Sequence, residues 1–293
     1  MDARARIETE LGEILSMNAP LAEVAAGPPA LAAAMRYAVF PGGARIRPRL
    51  CMAVAEACGE DQPSTTDCAA AAIELLHCAS LVHDDLPCFD DADLRRGKPS
   101  VHKAFGERLA ILTGDGLIVL AFEALARADV LHPHRALQLS RIIGRAVGGP
   151  QGIVAGQAWE CEHEIDLSQY QRAKTGALFA AATMAGAAST GAEAAQWSLL
   201  GYRLGEAFQV ADDVRDVVAD ASELGKPVGQ DRTLGRPSAV ERYGLSGAIK
   251  LLNGLVSEAL AVIPQCPGIV AIRALISAEA SRLLPGKLAR HAA

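Results

Sequence analysis

Thr66-Asp67-Cys68-Ala69-Ala70-Ala71-Ala72-Ile73-Glu74-Leu75-Leu76-His77-Cys78-Ala79-Ser80-Leu81-Val82-His83 runs without a break into Asp84-Asp85-Leu86-Pro87-Cys88-Phe89-Asp90-Asp91. The first part is apolar at helical period, rich in alanine and leucine, and free of the β-branched alternation of a strand. The second part sets a cluster of carboxylates at the helix end. The same device recurs where the apolar helix predicted over Glu193 to Val218 carries Asp212-Asp213-Val214-Arg215-Asp216. No fixed-period repeat accompanies it, so this is not a solenoid.

Outward from these two stretches the chain keeps one character. Helical period is read over Arg4 to Leu15, Ala22 to Tyr37, Arg49 to Ala57, Glu107 to Ala128, His134 to Val147, Ser168 to Ala187, Gly247 to Ile263 and Ile269 to Leu284. Pro41 to Arg47 and Leu224 to Pro237 are the irregular segments, and no low-complexity linker divides the chain. The expected fold class is therefore all-α, a single domain over residues 1–293 of roughly a dozen helices joined by short turns. With 51% apolar residues but only 4% aromatic, the core must be built from small aliphatic side chains.

Charge and cysteine usage exclude several classes. A formal charge of −6 offers no basic surface for nucleic acid. The seven cysteines are odd in number and show no C-x-x-C pairing, which points to reduced thiols and a cytoplasmic protein. Met1-Asp2-Ala3-Arg4-Ala5-Arg6-Ile7-Glu8 lacks the pattern of a secretory signal. The long uncharged run Thr175 to Ala192 is diluted by Gly, Ser, Thr and Ala, so it reads as a buried helix packed through small residues and no membrane span is expected.

The spacing within each acidic cluster sets its chemistry. Asp212 and Asp216 are four apart, about 40° around a helix, and so share one face. Asp84 and Asp90 are six apart and would point differently on an unbroken helix. Pro87 between them removes a ladder N–H, so the chain must bulge, which can return Asp90 to Asp84. Carboxylates at the ends of apolar helices need a cation. Mg²⁺ fits, because it takes about six oxygens and is commonly held by one or two carboxylates together with substrate phosphates. Asp91 and Asp93, among small residues, read as solvated acids. Anion donors stand at Gly-marked turns: Gly42-Gly43-Ala44-Arg45-Ile46-Arg47-Pro48, Arg95-Arg96, Lys174-Thr175 and Leu224-Gly225-Lys226-Pro227.

Taken in order, the Gly42 to Pro48 turn, Asp84 to Pro99, Lys174-Thr175-Gly176-Ala177-Leu178, Phe208-Gln209-Val210-Ala211-Asp212-Asp213-Val214-Arg215-Asp216 and Leu224 to Pro227 resemble the motif series of the trans-isoprenyl diphosphate synthases. The resemblance spans about residues 30 to 240. It implies a helical bundle around a deep central cavity, a homodimer, and condensation of isopentenyl diphosphate with an allylic diphosphate. It assigns Mg²⁺, about three ions assembled with the substrate diphosphate, to Asp84, Asp90 and Asp212. Asp85, Asp213 and Asp216 act behind these or through water. Arg95, Lys174, Thr175, Gln209 and Lys226 grip the allylic diphosphate, and Arg47, His77 and Arg96 the isopentenyl diphosphate. No protein nucleophile is needed, because charge developing on the departing diphosphate is met by Mg²⁺, Arg and Lys. The released diphosphate takes the final proton, and His83 is read as a structural hydrogen-bonding residue rather than a base.

One position departs from the family. Ala44 stands where a lysine usually contacts isopentenyl diphosphate, and losing a charge-assisted contact weakens binding by about 1.5 to 3 kcal/mol unless Arg45 or Arg47 replaces it. Ala79 and Ser80, one turn before Asp84, are small, and the two extra residues between Asp85 and Asp90 resemble the short-chain bacterial and plant types. The expected product is geranylgeranyl diphosphate, C20, with farnesyl diphosphate as the alternative. A terpene cyclase generally lacks the second acidic motif and the Gly-Gly-x-Arg-x-Arg turn. A non-catalytic partner subunit would lose carboxylates that are all present here. Lys287 and Arg290 in the tail are candidates to close over the site, against the commoner reading of a disordered basic tail.

Overall fold

The computed structural model describes residues 2–17, 27–127, 132–164, 166–218 and 238–283, and these are overwhelmingly helical. They divide into two compact units. The first comprises Met1–Ala55, Glu60–Ile142 and Ala185–Ala192; the second comprises Glu56–Gly59, Ile143–Met184 and Glu193–Ala293.

The first unit contains α1 (Ala3–Met17), α2 (Pro29–Val39), most of α3 (Ile46–Cys58) and α4 (Pro63–Asp84). Helix α4 is apolar on nearly every side and is correspondingly buried, with Ala69, Ala70, Ala71, Ala72, Ile73 and Leu75 fully shielded. Helix α2 begins later than its periodicity suggests. Pro29 takes the first helical position, where a missing N–H costs nothing, and Pro28 before it could not sit inside a helix. The hairpin of β1 (Leu94–Arg95) and β2 (Lys98–Pro99) pairs Leu94 with Pro99 and Arg95 with Lys98. These are the only strands among the described residues. Its two central residues, Arg96 and Gly97, have φ of 55° and 76°, as a tight two-residue turn requires. Then follow α5 (Val101–Phe105) and α6 (Glu107–Arg127), which packs along α4 so closely that a Cβ on Gly114 would lie 2.0 Å from Nε2 of His83. Helix α7 (Pro133–Val147) runs on into the second unit.

The second unit contains α8 (Ile153–Ala158), α9 (Leu167–Gln171), a π turn at Arg172–Gly176, most of α10 (Ala177–Ser189), α11 (Ser198–Val218), α12 (Ala239–Ala261) and α13 (Ile269–Leu283). Glycines let α11 approach the segment before and within α10. A Cβ on Gly201 would meet the Ala180 Cα at 2.4 Å, and one on Gly205 the Gly176 Cα at 2.8 Å. On its other side α11 buries Ala207, Val210, Ala211 and Val214 against Ala248, Leu252 and Leu255 of α12. Helix α12 starts eight residues before the periodic pattern that begins at Gly247. Gly244, at φ 68°, kinks it, and the kink interrupts the period.

Two described helices, α4 and α6, have the length and hydropathy of a membrane crossing. Helix α4 is a core helix, with 78% of its most apolar window buried; in α6 the figure is 44%.

Candidate active site

In the first unit α4 ends at Asp84, and Asp85 after it keeps a helical conformation. Pro87 cannot supply the next ladder N–H, so the chain folds back on itself: the Asp90 amide donates to the Asp84 carbonyl at 3.0 Å and the Ala92 amide to the Asp85 carbonyl at 3.2 Å. Leu86 anchors the bulge from below, buried with Val82, Ala34, Val101 and Ala110, while Pro87, Cys88 and Phe89 stay outside. The fold-back brings carboxylate oxygens of Asp84 and Asp90 within 4.8 Å of one another. Two all-oxygen donors at that separation suit a hard octahedral ion, whose opposite ligands lie about 4 Å apart. Asp91 and Asp93 are exposed and share Lys103 at 3.4 and 2.9 Å.

Asp85 has a different partner. It is buried, and burial raises its pKa against the opposing hydrogen bonds of Arg95. Arg95 Nε lies 3.0 and 3.2 Å from its two oxygens, and Nη2 donates to it as well. Burial works against the Arg95 charge, but the Asp85 carboxylate outweighs it and holds the guanidinium above its ordinary pKa. Arg95, expected on an allylic diphosphate, is thus seated first by Asp85, which fixes β1 to the end of α4.

A second group lies one to two turns back along α4. His77 Nε2 is 3.4 Å from Arg47 Nη1 in the first turn of α3. Arginine only donates, so His77 must accept there and carry its proton on Nδ1. Burial, then the charges of Arg47, Arg96 and Arg95, push the His77 pKa well below 6.5, so the ring is neutral. Burial also pulls the Arg47 pKa down to about 10. The Arg96 guanidinium lies over Gly43, where a Cβ would stand 3.2 Å from it. Lys98 keeps the hairpin in place by donating to the Tyr37 and Phe40 carbonyls at 2.6 and 2.8 Å. Arg47, His77 and Arg96 therefore all lie in the first unit. Arg45 is 2% exposed and bound to Glu8, Glu74 and the Val39 carbonyl, so it cannot replace the lysine missing at position 44.

In the second unit Asp212, Asp213 and Asp216 all project from α11. Asp212 and Asp216 are half-buried, and Asp212 meets Arg215 at 3.0 Å. Asp213 is buried and works on structure: it accepts from Gln209 Nε2 at 3.1 Å and from the Ala239 amide at 2.7 Å, capping α12. Gln209 in turn accepts from the Thr175 hydroxyl at 3.1 Å. Thr175 and Lys174 lie in the π turn, a geometry often found where a helix is bent to serve a site. The turn packs on α8, where a Cβ on Gly156 would meet the Lys174 backbone at 2.4 Å. Glu160, which no sequence pattern singles out, accepts from Lys174 Nζ at 2.6 Å and from the Tyr170 hydroxyl at 2.7 Å. Lys226 and the Leu224 to Pro227 loop lie outside the described residues, as do Lys287 and Arg290.

Ala79 is 1% exposed and Ser80 half-buried, and the Ser80 hydroxyl donates to the His77 carbonyl at 2.8 Å. His83 has the structural setting expected of it, with Nε2 3.3 Å from the Ile111 carbonyl.

The family model described as Polyprenyl synthetase matches residues 28–263. The chain is 57% identical over 262 residues to the geranylgeranyl diphosphate synthase of Cereibacter sphaeroides, covering 89% of this chain and 91% of that protein. It is 51% identical over 284 residues to the geranylgeranyl diphosphate synthase of Rhodobacter capsulatus, covering 97% of each. Among solved structures it is similar to the geranyltransferase of Helicobacter pylori complexed with magnesium and isoprenyl diphosphate, with 30% identity, a TM-score of 0.79, and 95% and 97% of the two chains covered. An all-α chain matched over most of its length by the family model, with its acidic and basic motifs set on the elements just described, belongs to the polyprenyl synthetase family.

Proposed function

We propose that this polyprenyl synthetase is a chain-elongating prenyltransferase that joins isopentenyl diphosphate to dimethylallyl, geranyl and farnesyl diphosphates and releases geranylgeranyl diphosphate. The observation that carries the reading is the folded-back bulge, which sets Asp84 and Asp90 within 4.8 Å at the end of the helix that also bears His77. In the first unit Asp84 and Asp90 hold metal, and Arg47, Arg96 and neutral His77 take isopentenyl diphosphate. A neutral imidazole can turn a donor N–H to a phosphate oxygen without adding a third charge to the two guanidiniums. In the second unit Asp212 is the metal ligand, and Lys174, Thr175 and Gln209 take the allylic diphosphate, with Asp213 fixing Gln209 and Glu160 holding Lys174 ready. Bound to these carboxylates, Mg²⁺ supplies the charge that stabilises the departing diphosphate. The product length is supported by the small, half-buried Ser80 one turn before Asp84 and by the two relatives named geranylgeranyl diphosphate synthase.

The active form proposed is a homodimer in the cytoplasm. The exposed apolar residues Ile111, Leu112, Val119 and Phe122 on α6 support the first part, and the seven free thiols the second. Incubation with Mg²⁺, labelled isopentenyl diphosphate and each primer in turn tests the activity. C20 product from all three primers, abolished by a chelator, is expected; absence of elongation from every primer would reject the reading, and C15 as the end product would replace geranylgeranyl by farnesyl.

A further inference from the structure

Arg45 combines burial, strain and four hydrogen bonds from its guanidinium. Nε and Nη2 donate to the two oxygens of Glu8 on α1 at 2.9 and 3.2 Å, Nη1 donates to Glu74 on α4 at 2.6 Å, and Nη2 also reaches the Val39 carbonyl at 2.9 Å. Its backbone sits at φ 52°, a conformation that costs any side chain but glycine. Gly42 is required beside it, because a Cβ there would lie 2.0 Å from the guanidinium carbon. The first glycine of the turn thus closes over this cation.

A buried ion pair is a poor source of stability, since apolar residues of like volume often serve as well, but its planar fork fixes direction. Three things are fixed here. The Arg45 carbonyl accepts the Arg49 amide at 3.1 Å, so α3 starts from this residue and Arg47 lies in its first turn. Glu74 stands three residues before His77 on α4, so its bond to Arg45 ties the turn to the helix face bearing the histidine. Gly43, the next residue of the turn, carries the Arg96 guanidinium.

We propose that Glu8, Arg45 and Glu74 are positioning residues for isopentenyl diphosphate, holding Arg47, His77 and Arg96 in register without taking part in ionisation of the allylic substrate. This rests on the assignment of those three residues given above. Glu74 also contributes charge, favouring the Arg47 cation that burial opposes.

Glu8→Gln removes one carboxylate from a partly exposed site, and Arg45→Lys keeps the charge but loses the fork. Steady-state kinetics with each substrate varied should show the isopentenyl KM rising about tenfold in Glu8→Gln and further in Arg45→Lys. The primer KM and kcat should stay within about twofold, and the double variant should be little worse than Arg45→Lys, because both act through one contact. Equal changes in both KM values, or a fall in kcat at unchanged isopentenyl KM, would overturn the proposal. Should Arg45→Lys fail to fold, Glu8→Gln decides alone. Wild-type protein that does not elongate would refute the assigned reaction rather than the triad. Calorimetric titration with inorganic diphosphate then separates the two: weaker binding by Glu8→Gln than by wild type supports the triad, and equal binding overturns it.

Discussion

At position 44 the side chain points outward from a turn whose two neighbouring arginines have opposite fates. Arg45 is spent inside the unit on Glu8 and Glu74, while Arg47 reaches His77. Neither supplies the flexible ammonium that a lysine would present, and Ala44 has room for one. Ala44→Lys is therefore expected to lower the isopentenyl KM about tenfold, worth about 1.4 kcal/mol, with the primer KM unchanged; an unaltered isopentenyl KM in steady-state assays would show that the site does not miss the charge. His77 gives a second test, in pH. Burial and the neighbouring arginines depress its pKa in the folded protein, whereas the unfolded chain titrates near 6.5. Below about pH 6.5 the unfolded state binds a proton that the folded state refuses, so stability is full above that pH and is lost as pH falls, by at most about 1.4 kcal/mol per unit. Urea unfolding at pH 7.5, 6.0 and 5.0 should show a larger loss for wild type than for His77→Gln. Identical losses would mean that the folded imidazole takes the proton after all.

Among the elements, the two acidic clusters use the same residue type for unlike work. In α11 the carboxylate of Asp213 receives two donors, Gln209 and the first amide of α12. Asp213→Ala leaves both without an acceptor and should cost about 2 kcal/mol in chemical denaturation, alongside a fall in kcat because Gln209 loses its anchor. At the other cluster, Ser80 lies about 40° around α4 from Asp84 and Ala79 about 140°, and only Ala79 is sealed in the core. Ser80→Phe is expected to shift the product from C20 toward C15 at little cost in stability, read by product chromatography. Ala79→Tyr should instead lower the Tm through overpacking of about 1 to 3 kcal/mol. The bulge could be read in advance because Pro87 dictates a break wherever it stands. The π turn could not, since the alanine-rich run from Arg172 to Ala187 carries no proline, its glycines and threonines are tolerated inside a helix, and an inserted residue leaves no mark on the period. Nor could the hairpin, whose two-residue strands are too short to alternate. Arg45 and Arg47 look alike in a one-dimensional reading; only the positions of Glu8 and Glu74 tell them apart.

At the scale of the molecule, the helical class followed from composition, because a core with so few aromatic residues must be filled by aliphatic side chains packed at close helix spacing, and the glycines on α6, α8 and α11 allow that approach. What composition leaves open is which apolar surface belongs to the chain's own core. Helix α6 separates the two cases within its own length. Ala110, Thr113, Gly114, Leu117, Leu120, Ala121, Ala124 and Leu125 face inward, whereas Ile111, Leu112, Val119 and Phe122 remain between 38% and 59% exposed on the other side. A helix needs one apolar stripe to pack against its own unit, and a second stripe with exposed large side chains is the mark of an interface core. A second copy of the chain, related by a two-fold axis that pairs this face with itself, would bury both stripes at once. Sedimentation of the wild type should then give about twice the chain mass of 30.5 kDa. Leu112→Asp with Val119→Asp should give a single-chain mass and a lower Tm, since each partner would otherwise bury a carboxylate opposite its own copy. A wild type that sediments as one chain would remove the dimer from the proposal and leave this stripe of α6 unexplained.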